Sequence, residues 1–229
     1  MNIKYEKEKY SQGYDFVIGC DEVGKGSLAG PVVAAAVAFA SVDLKSKVKS
    51  YQVIKSCGIK DSKLLSPKKR EELSEVIKQS CVAWGIGEVG PEIIDEINIH
   101  NATLLAMRKA VENLYKRIST DAADGFARIT DKTRDDRYFL FLDGKFTIPK
   151  FDMEQEAVVD GDNKILSVAA ASILAKVHRD GLMTRLHKKY PAYDFAKHKG
   201  YGTLHHRQMI IQHGLSDIHR RSFCENIIL

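Results

Sequence analysis

The stretch GCDEVGKGSLAG, from Gly19 to Gly30, decides how the chain folds and what it handles. Gly19, four intervening residues and Gly24-Lys25 fall one residue short of a phosphate-binding loop, in which a hydroxyl-bearing residue follows the lysine and holds magnesium. Here that place is Gly26, and Ser27 comes one residue late. A true loop of that kind needs a helix directly after the lysine, so that backbone N–H groups and the helix dipole face the phosphates. Pro31 followed by VVAAAVAF reads as a strand instead. Asp21 and Glu22 would also put two negative charges inside an anion cradle. Two apolar runs, Phe16 to Cys20 and the one from Pro31, joined by a Gly-rich turn, therefore predict paired strands, the first stopping at the acids.

Outward from this hairpin, Ser66-Pro67 predicts an N-cap and first helical residue opening KKREELSEVIKQSC. Val82 to Val89 reads as a strand, and Pro91 begins a mainly helical stretch with apolar residues at three and four spacing. Residues 119–137 are polar and lack periodicity, as in a surface loop or insertion. YFLFLDG and EAVVDGD are two further apolar runs ending in acid and glycine. Ser167 starts a long helix, and Thr203 starts another that stops at Gly214. Strands followed by helices predict one α/β domain over residues 1–229, with residues 190–229 its helical C-terminal part.

The 229 residues are 44% hydrophobic and 28% charged, as in soluble globular proteins. No leading apolar segment and no run of ~18 apolar residues is present, which predicts a cytoplasmic protein without membrane contact. The four cysteines, Cys20, Cys57, Cys81 and Cys224, form no metal-spaced pair and read as buried free thiols. The net charge of +5 is unevenly spread. Lys176, Arg179, Arg185, Lys188, Lys189, Lys197, Lys199 and Arg207 stand against only Asp180 and Asp194, a stripe suited to a polyanion or to a solvated helix face. Adjacent His205 and His206 point apart on a helix and read as solvated.

Three apolar runs end in an acid with glycine close by: Asp21-Glu22, Asp143-Gly144 and Asp160-Gly161-Asp162. A lone Asp-Gly is ordinarily a turn, and adjacent acids on a strand point to opposite faces unless the strand bulges or ends. The recurrence has a different meaning. Carboxylates gathered at strand ends repel one another unless a cation sits between them, and hard oxygen ligands select Mg²⁺ or Mn²⁺. With phosphate as substrate, two such ions would support phosphodiester hydrolysis.

DEVGKGSLAGPVVAAAV, IKDSKLLSPKKREEL, LDG, SVAAASILAKVHRD, HKGYGT and HRRSF occur in the order seen in type 2 ribonucleases H, and the chain resembles bacterial ribonuclease HII from about Phe16 to Phe223. The resemblance implies an α/β, RNase H-like mixed sheet flanked by helices. It implies a monomeric endonuclease that cleaves the RNA of RNA–DNA hybrids and nicks 5′ to single ribonucleotides in duplex DNA, leaving 3′-hydroxyl and 5′-phosphate ends. The family's acids fall on Asp21, Glu22, Asp143 and Asp162, holding Mg²⁺ or Mn²⁺. Its glycine–basic–glycine motif falls on Gly24, Lys25 and Gly26, which contact the 2′-hydroxyl and phosphates through the backbone. The junction-sensing tyrosine falls on Tyr201.

Asp61 and Lys63 are similar to family residues near the substrate backbone. Arg179 shares a long helix with Ser172, Lys176 and Asp180, and these three lie on one face at i, i+4 and i+8, predicted to line the groove. Asp160 departs from the lysine usual in relatives; Asp162 is the acid that keeps the distance to SVAAASILAK. Two rivals fit the basic stripe equally: another metal nuclease of RNase H-like fold acting on DNA, and a non-catalytic nucleic-acid binder.

Overall fold

A computed structural model describes residues 3–41, 59, 65–120 and 137–228. Cys57, Asp61, Lys63 and most of the polar segment 119–137 lie outside the described residues. The elements in chain order are α1 (Lys4–Ser11), β1 (Phe16–Val23), β2 (Val32–Ala40), α2 (Pro67–Ser80), β3 (Ala83–Val89), α3 (Pro91–Thr120), β4 (Tyr138–Asp143), β5 (Glu154–Val158), α4 (Gly161–Lys164), α5 (Leu166–Lys189), a 3₁₀ turn (Pro191–Tyr193), α6 (Phe195–His198), α7 (Leu204–His213) and α8 (Arg221–Ile228).

The five strands form one mixed sheet in the order β3-β2-β1-β4-β5, with β3, β2 and β1 antiparallel and β1, β4 and β5 parallel. The alanine run that lacks alternation in the sequence is explained by burial on both faces. Ala34, Ala36 and Ala38 face α3, while Ala35, Val37 and Phe39 face α5 and α2. Helix α5 comes close enough to β1 that a Cβ on Gly19 would stand 2.1 Å from the Ser167 carbonyl carbon. The first glycine of the opening stretch thus lets a helix lie against a strand. It has no part in a phosphate loop, and no helix follows Lys25.

Two of the predicted helix starts are capped by side chains, Ser66 accepting from the Lys69 amide and Thr203 from the His206 amide, whereas the helix expected from Ser167 begins at Leu166 after Ile165 with no side-chain cap. One expectation fails at β1, which does not end or bulge at the acids. Its register with β2 is unbroken from Phe16↔Ala40 to Val23↔Val33, so Asp21 and Glu22 lie within the strand. Cys20, Cys81 and Cys224 are buried free thiols, as expected.

The Gly24–Pro31 loop is threaded between two C-terminal segments. Leu28 N donates to Gly200 O at 2.8 Å, Gly30 N to Ile218 O at 2.8 Å, and Arg220 N to Leu28 O at 2.8 Å. Two guanidiniums of zero exposure complete the clamp. Arg179 donates from Nε to Pro31 O (3.0 Å), from Nη1 to Lys199 O (2.9 Å) and from Nη2 to Ala29 O (3.1 Å). Arg220 donates to the carbonyls of Gly24 (2.7 Å), Lys25 (2.9 Å) and Gly30 (2.9 and 3.0 Å). Burial pushes Arg220 down to about 9, which leaves it charged at neutral pH. Without it the carbonyls of Lys25 and Gly30 would lose these donors and that of Gly24 would keep only the Ser27 amide at 3.4 Å, a loss of about 1–3 kcal/mol for each group left unsatisfied.

His206 corrects the reading of a solvated pair. It is fully buried, whereas His205 is exposed. Its ring stacks on His198 at 4.2 Å and its Nε2 meets His219 Nε2 at 3.1 Å, with Phe195 edge-on to it. Burial pushes His206 and His219 from 6.5 down to about 4, so both are neutral at pH 7. A folded-state value below the unfolded one means that, between those limits, the unfolded chain takes up protons that the folded chain refuses. The stabilisation is complete above about 6.5 and lost as pH falls toward about 4. In urea titrations at pH 7 and pH 5, the wild type should lose more unfolding free energy on acidification than a His219→Gln variant; equal losses would contradict the burial of neutral rings.

Candidate active site

Strand β4 ends at Asp143, and its pairing with β1 ends at Cys20↔Leu142, one residue before Asp21. The same register carried one step further sets Asp143, the last residue of β4, beside Asp21, so the acids gather where β4 ends although β1 continues through Glu22. One carboxylate oxygen each from Asp21, Glu22 and Asp143 lie within 4.8 Å of one another. Local hydrogen bonds fix the acids: the Glu22 amide donates to Asp21 Oδ1 at 2.7 Å, Ser172 bonds Asp21, and the Gly161 amide donates to Asp143 Oδ1 at 2.7 Å.

Burial, followed by the charges of Glu22 and Asp143, pushes the Asp21 carboxyl well above the usual carboxylate range, and the bonds from Ser172 and the Glu22 amide only partly oppose this. Glu22 Oε2 is buried without a hydrogen-bond partner among the described residues. An orphaned oxygen in an all-carboxylate cluster fits a hard divalent cation such as Mg²⁺ or Mn²⁺. Lys25 supplies the nearby positive charge, with Nζ 2.9 Å from Glu22 Oε1 and its side chain half exposed.

Asp162 is buried in α4, next to the glycine that holds Asp143, but its oxygens are outside the 4.8 Å group. The expected four-acid metal set is thus three acids with a fourth close in the chain. Asp160, the acid in place of lysine, is exposed in a left-handed conformation, φ 56°, ahead of α4.

The glycines of the Gly24-Lys25-Gly26 motif differ in cause. Gly24 has φ +88°, and a Cβ there would stand 2.1 Å from Arg179 Nε. Gly26 is exposed with ordinary φ, and a Cβ there would meet nothing within 4 Å, so nothing within the described residues requires glycine. Tyr201 is brought beside this loop by a bridge with Ser27. Its ring is 36% exposed, with the Arg179 guanidinium 5.5 Å and Lys176 Nζ 5.8 Å from its centre.

The predicted groove face of α5 is corrected in part. Ser172 is buried against Asp21, and Lys176 is paired with Asp180 at 2.8 Å. Arg179, predicted to contact substrate, points inward because its donors satisfy loop carbonyls. The basic stripe is therefore not one solvated face. Arg220 entered the sequence reading only within HRRSF, since a fully buried arginine runs against the usual exposure of that residue.

Residues 18–226 match the family model for ribonuclease HII. The chain is 45% identical over 224 residues to ribonuclease HII of Clostridioides difficile (strain 630), covering 98% of this chain and 76% of that protein. Among solved structures it is similar to ribonuclease H2 of Pyrococcus horikoshii OT3, with a TM-score of 0.63, 23% identity and coverage of 93% of this chain and 97% of that one. It is also similar to the RNase HII of Archaeoglobus fulgidus solved in complex with PCNA, with a TM-score of 0.61, 27% identity and coverage of 93% and 97%. Fold, acidic cluster and near full-length identity agree: the chain belongs to the ribonuclease HII family of endonucleases.

Proposed function

We propose that residues 1–229 act as one monomeric catalytic unit that hydrolyses the RNA strand of RNA–DNA hybrids and nicks 5′ to single ribonucleotides in duplex DNA, removing ribonucleotides from DNA in the cytoplasm. The observation that supports it most is the cluster of Asp21, Glu22 and Asp143 within 4.8 Å, next to an open Gly26.

Asp21, Glu22 and Asp143 would hold Mg²⁺ or Mn²⁺, with Asp162 as the fourth acid beside them. Two such ions, held by these acids, would supply activation of a water and stabilisation of the leaving oxygen of a phosphodiester, with 3′-hydroxyl and 5′-phosphate ends as products. The protein's own part is positioning: the Gly161 and Glu22 amides and Ser172 fix the carboxylates before substrate arrives. Lys25, half exposed above Glu22, supplies a cation to the phosphate backbone. Only the 2′-hydroxyl separates RNA from DNA locally, so a reader must bring backbone groups against it. Gly26, whose missing side chain answers to nothing in the described residues, is suited to that approach. Tyr201 offers a partly exposed ring, with the Lys176 and Arg179 cations over it, on which the next sugar stacks, and Asp61 and Lys63 are assigned to the substrate backbone by resemblance.

A duplex with one ribonucleotide, run beside a long hybrid in Mg²⁺ and in Mn²⁺, should be nicked on the 5′ side, with EDTA abolishing the cut. Asp21→Asn should lower kcat on the order of 10³-fold, since charge stabilisation by the cation is worth several kcal/mol. Intact substrate in both metals would sink the reading. Gly26→Ala should leave the thermal midpoint unchanged yet weaken nicking on the order of tenfold; unchanged nicking would remove Gly26 from the interface.

A further inference from the structure

Three buried histidines stand behind Tyr201, and their hydrogen bonds leave no freedom in where the protons lie. His206 Nδ1 is 2.9 Å from the Tyr201 carbonyl oxygen, which can only accept, so Nδ1 bears the hydrogen. The neutral ring then presents a lone pair at Nε2, and His219 Nε2 at 3.1 Å must donate to it. His219 Nδ1 is in turn the acceptor, at 2.9 Å from the Ser216 amide and 2.8 Å from the Ser216 hydroxyl. His198 is ordered in the same way, donating from Nε2 to Tyr193 O at 2.7 Å and accepting at Nδ1 from the Gly200 amide at 3.2 Å. The chain of donors runs Ser216, His219, His206, Tyr201 O, in one direction only.

Two members of this chain meet the loop after β1. Tyr201 bridges to Ser27 and His219 to Ala29. The Tyr201 amide also donates to His198 O at 2.9 Å, so the backbone on both sides of the tyrosine is held by histidine residues while its ring stays partly exposed. None of the three histidines contacts the acidic cluster, and packing alone does not need their polarity, since Phe195 and Tyr193 fill the same cluster with edge-on contacts.

We propose that His219 and His206 form a one-way relay of neutral imidazoles that positions Tyr201 against the nucleotide following the ribose. They are positioning residues, acting through the Tyr201 carbonyl. The inference rests on the reading of Tyr201 as a substrate contact. Protonation of His206 would place two hydrogens face to face at the His206–His219 contact, and protonation of His219 would set an Nδ1 hydrogen against the Ser216 amide; burial of both rings disfavours either state.

Two measurements test it. Nitrogen-resolved NMR of the full-length wild type should find His206 as the Nδ1–H tautomer and His219 as the Nε2–H tautomer; the opposite assignment at either ring overturns the relay without reference to activity. In kinetics, asparagine reproduces a donor near Nδ1 and glutamine a group near Nε2. His206→Asn should therefore rescue what His206→Gln loses, read as a rise in KM for the single-ribonucleotide duplex on the order of tenfold, larger than any change in kcat. In a Tyr201→Ala background the two variants should behave alike. An active wild type whose Asn and Gln variants differ by the same factor in both backgrounds overturns the positioning role alone. A wild type that cleaves neither hybrid nor single-ribonucleotide duplex removes the reading of Tyr201 as well.

Discussion

Two buried guanidiniums with only carbonyl partners hold the molecule's functional end together. Placing a cation away from water is costly unless its hydrogens are all met. Every guanidinium nitrogen of Arg179 and Arg220 donates to a carbonyl, on Gly24, Lys25, Ala29, Gly30, Pro31 and Lys199. These carbonyls belong to the loop that leaves β1 just after the acids and to the turn preceding Tyr201. Because the carbonyls bond inward, the loop's outer surface at Gly26 is left open. The same clamp explains why Gly24 cannot carry a side chain, which would displace the Arg179 guanidinium.

The acids present the complementary problem. Positive charge is buried against carbonyls on one side of the loop, and three carboxylates are gathered with a single lysine ammonium on the other. Asp21 shows the strain of this arrangement in its raised carboxyl, and Glu22 in its unpartnered oxygen. Lys25 lies between the two regions, its carbonyl held by Arg220 and its ammonium on Glu22. Rigidity of the loop backbone and mobility of a half-exposed lysine are both useful where a nucleic-acid strand must be positioned and its phosphates neutralised.

Much of this was legible in the sequence. The strand that follows Lys25 excluded a phosphate loop, the caps at Ser66 and Thr203 fixed two helix starts, and the recurrence of acid and glycine after apolar runs picked out Asp21, Glu22 and Asp143. What escaped was long-range. Period and propensity see one element at a time, so they do not show that β4 lies parallel beside β1 in the register that brings Asp143 to Asp21 and Glu22. Nor do they distinguish a solvated arginine or histidine from one buried against carbonyls supplied from up to 196 positions away, as at Arg220. The charges of Arg179 and the ring of His206 were read from composition as surface features, and tertiary contacts reversed both.

We propose that the loop held from within by arginines reads a sugar hydroxyl from without. The most direct measurement is nicking of one duplex sequence carrying, at a single position, a 2′-hydroxyl, a 2′-deoxy or a 2′-O-methyl sugar, in the presence of Mg²⁺ or Mn²⁺. The account predicts a nick 5′ to the hydroxyl-bearing sugar alone, the methyl group blocking backbone approach at Gly26; equal nicking of the three duplexes would contradict it.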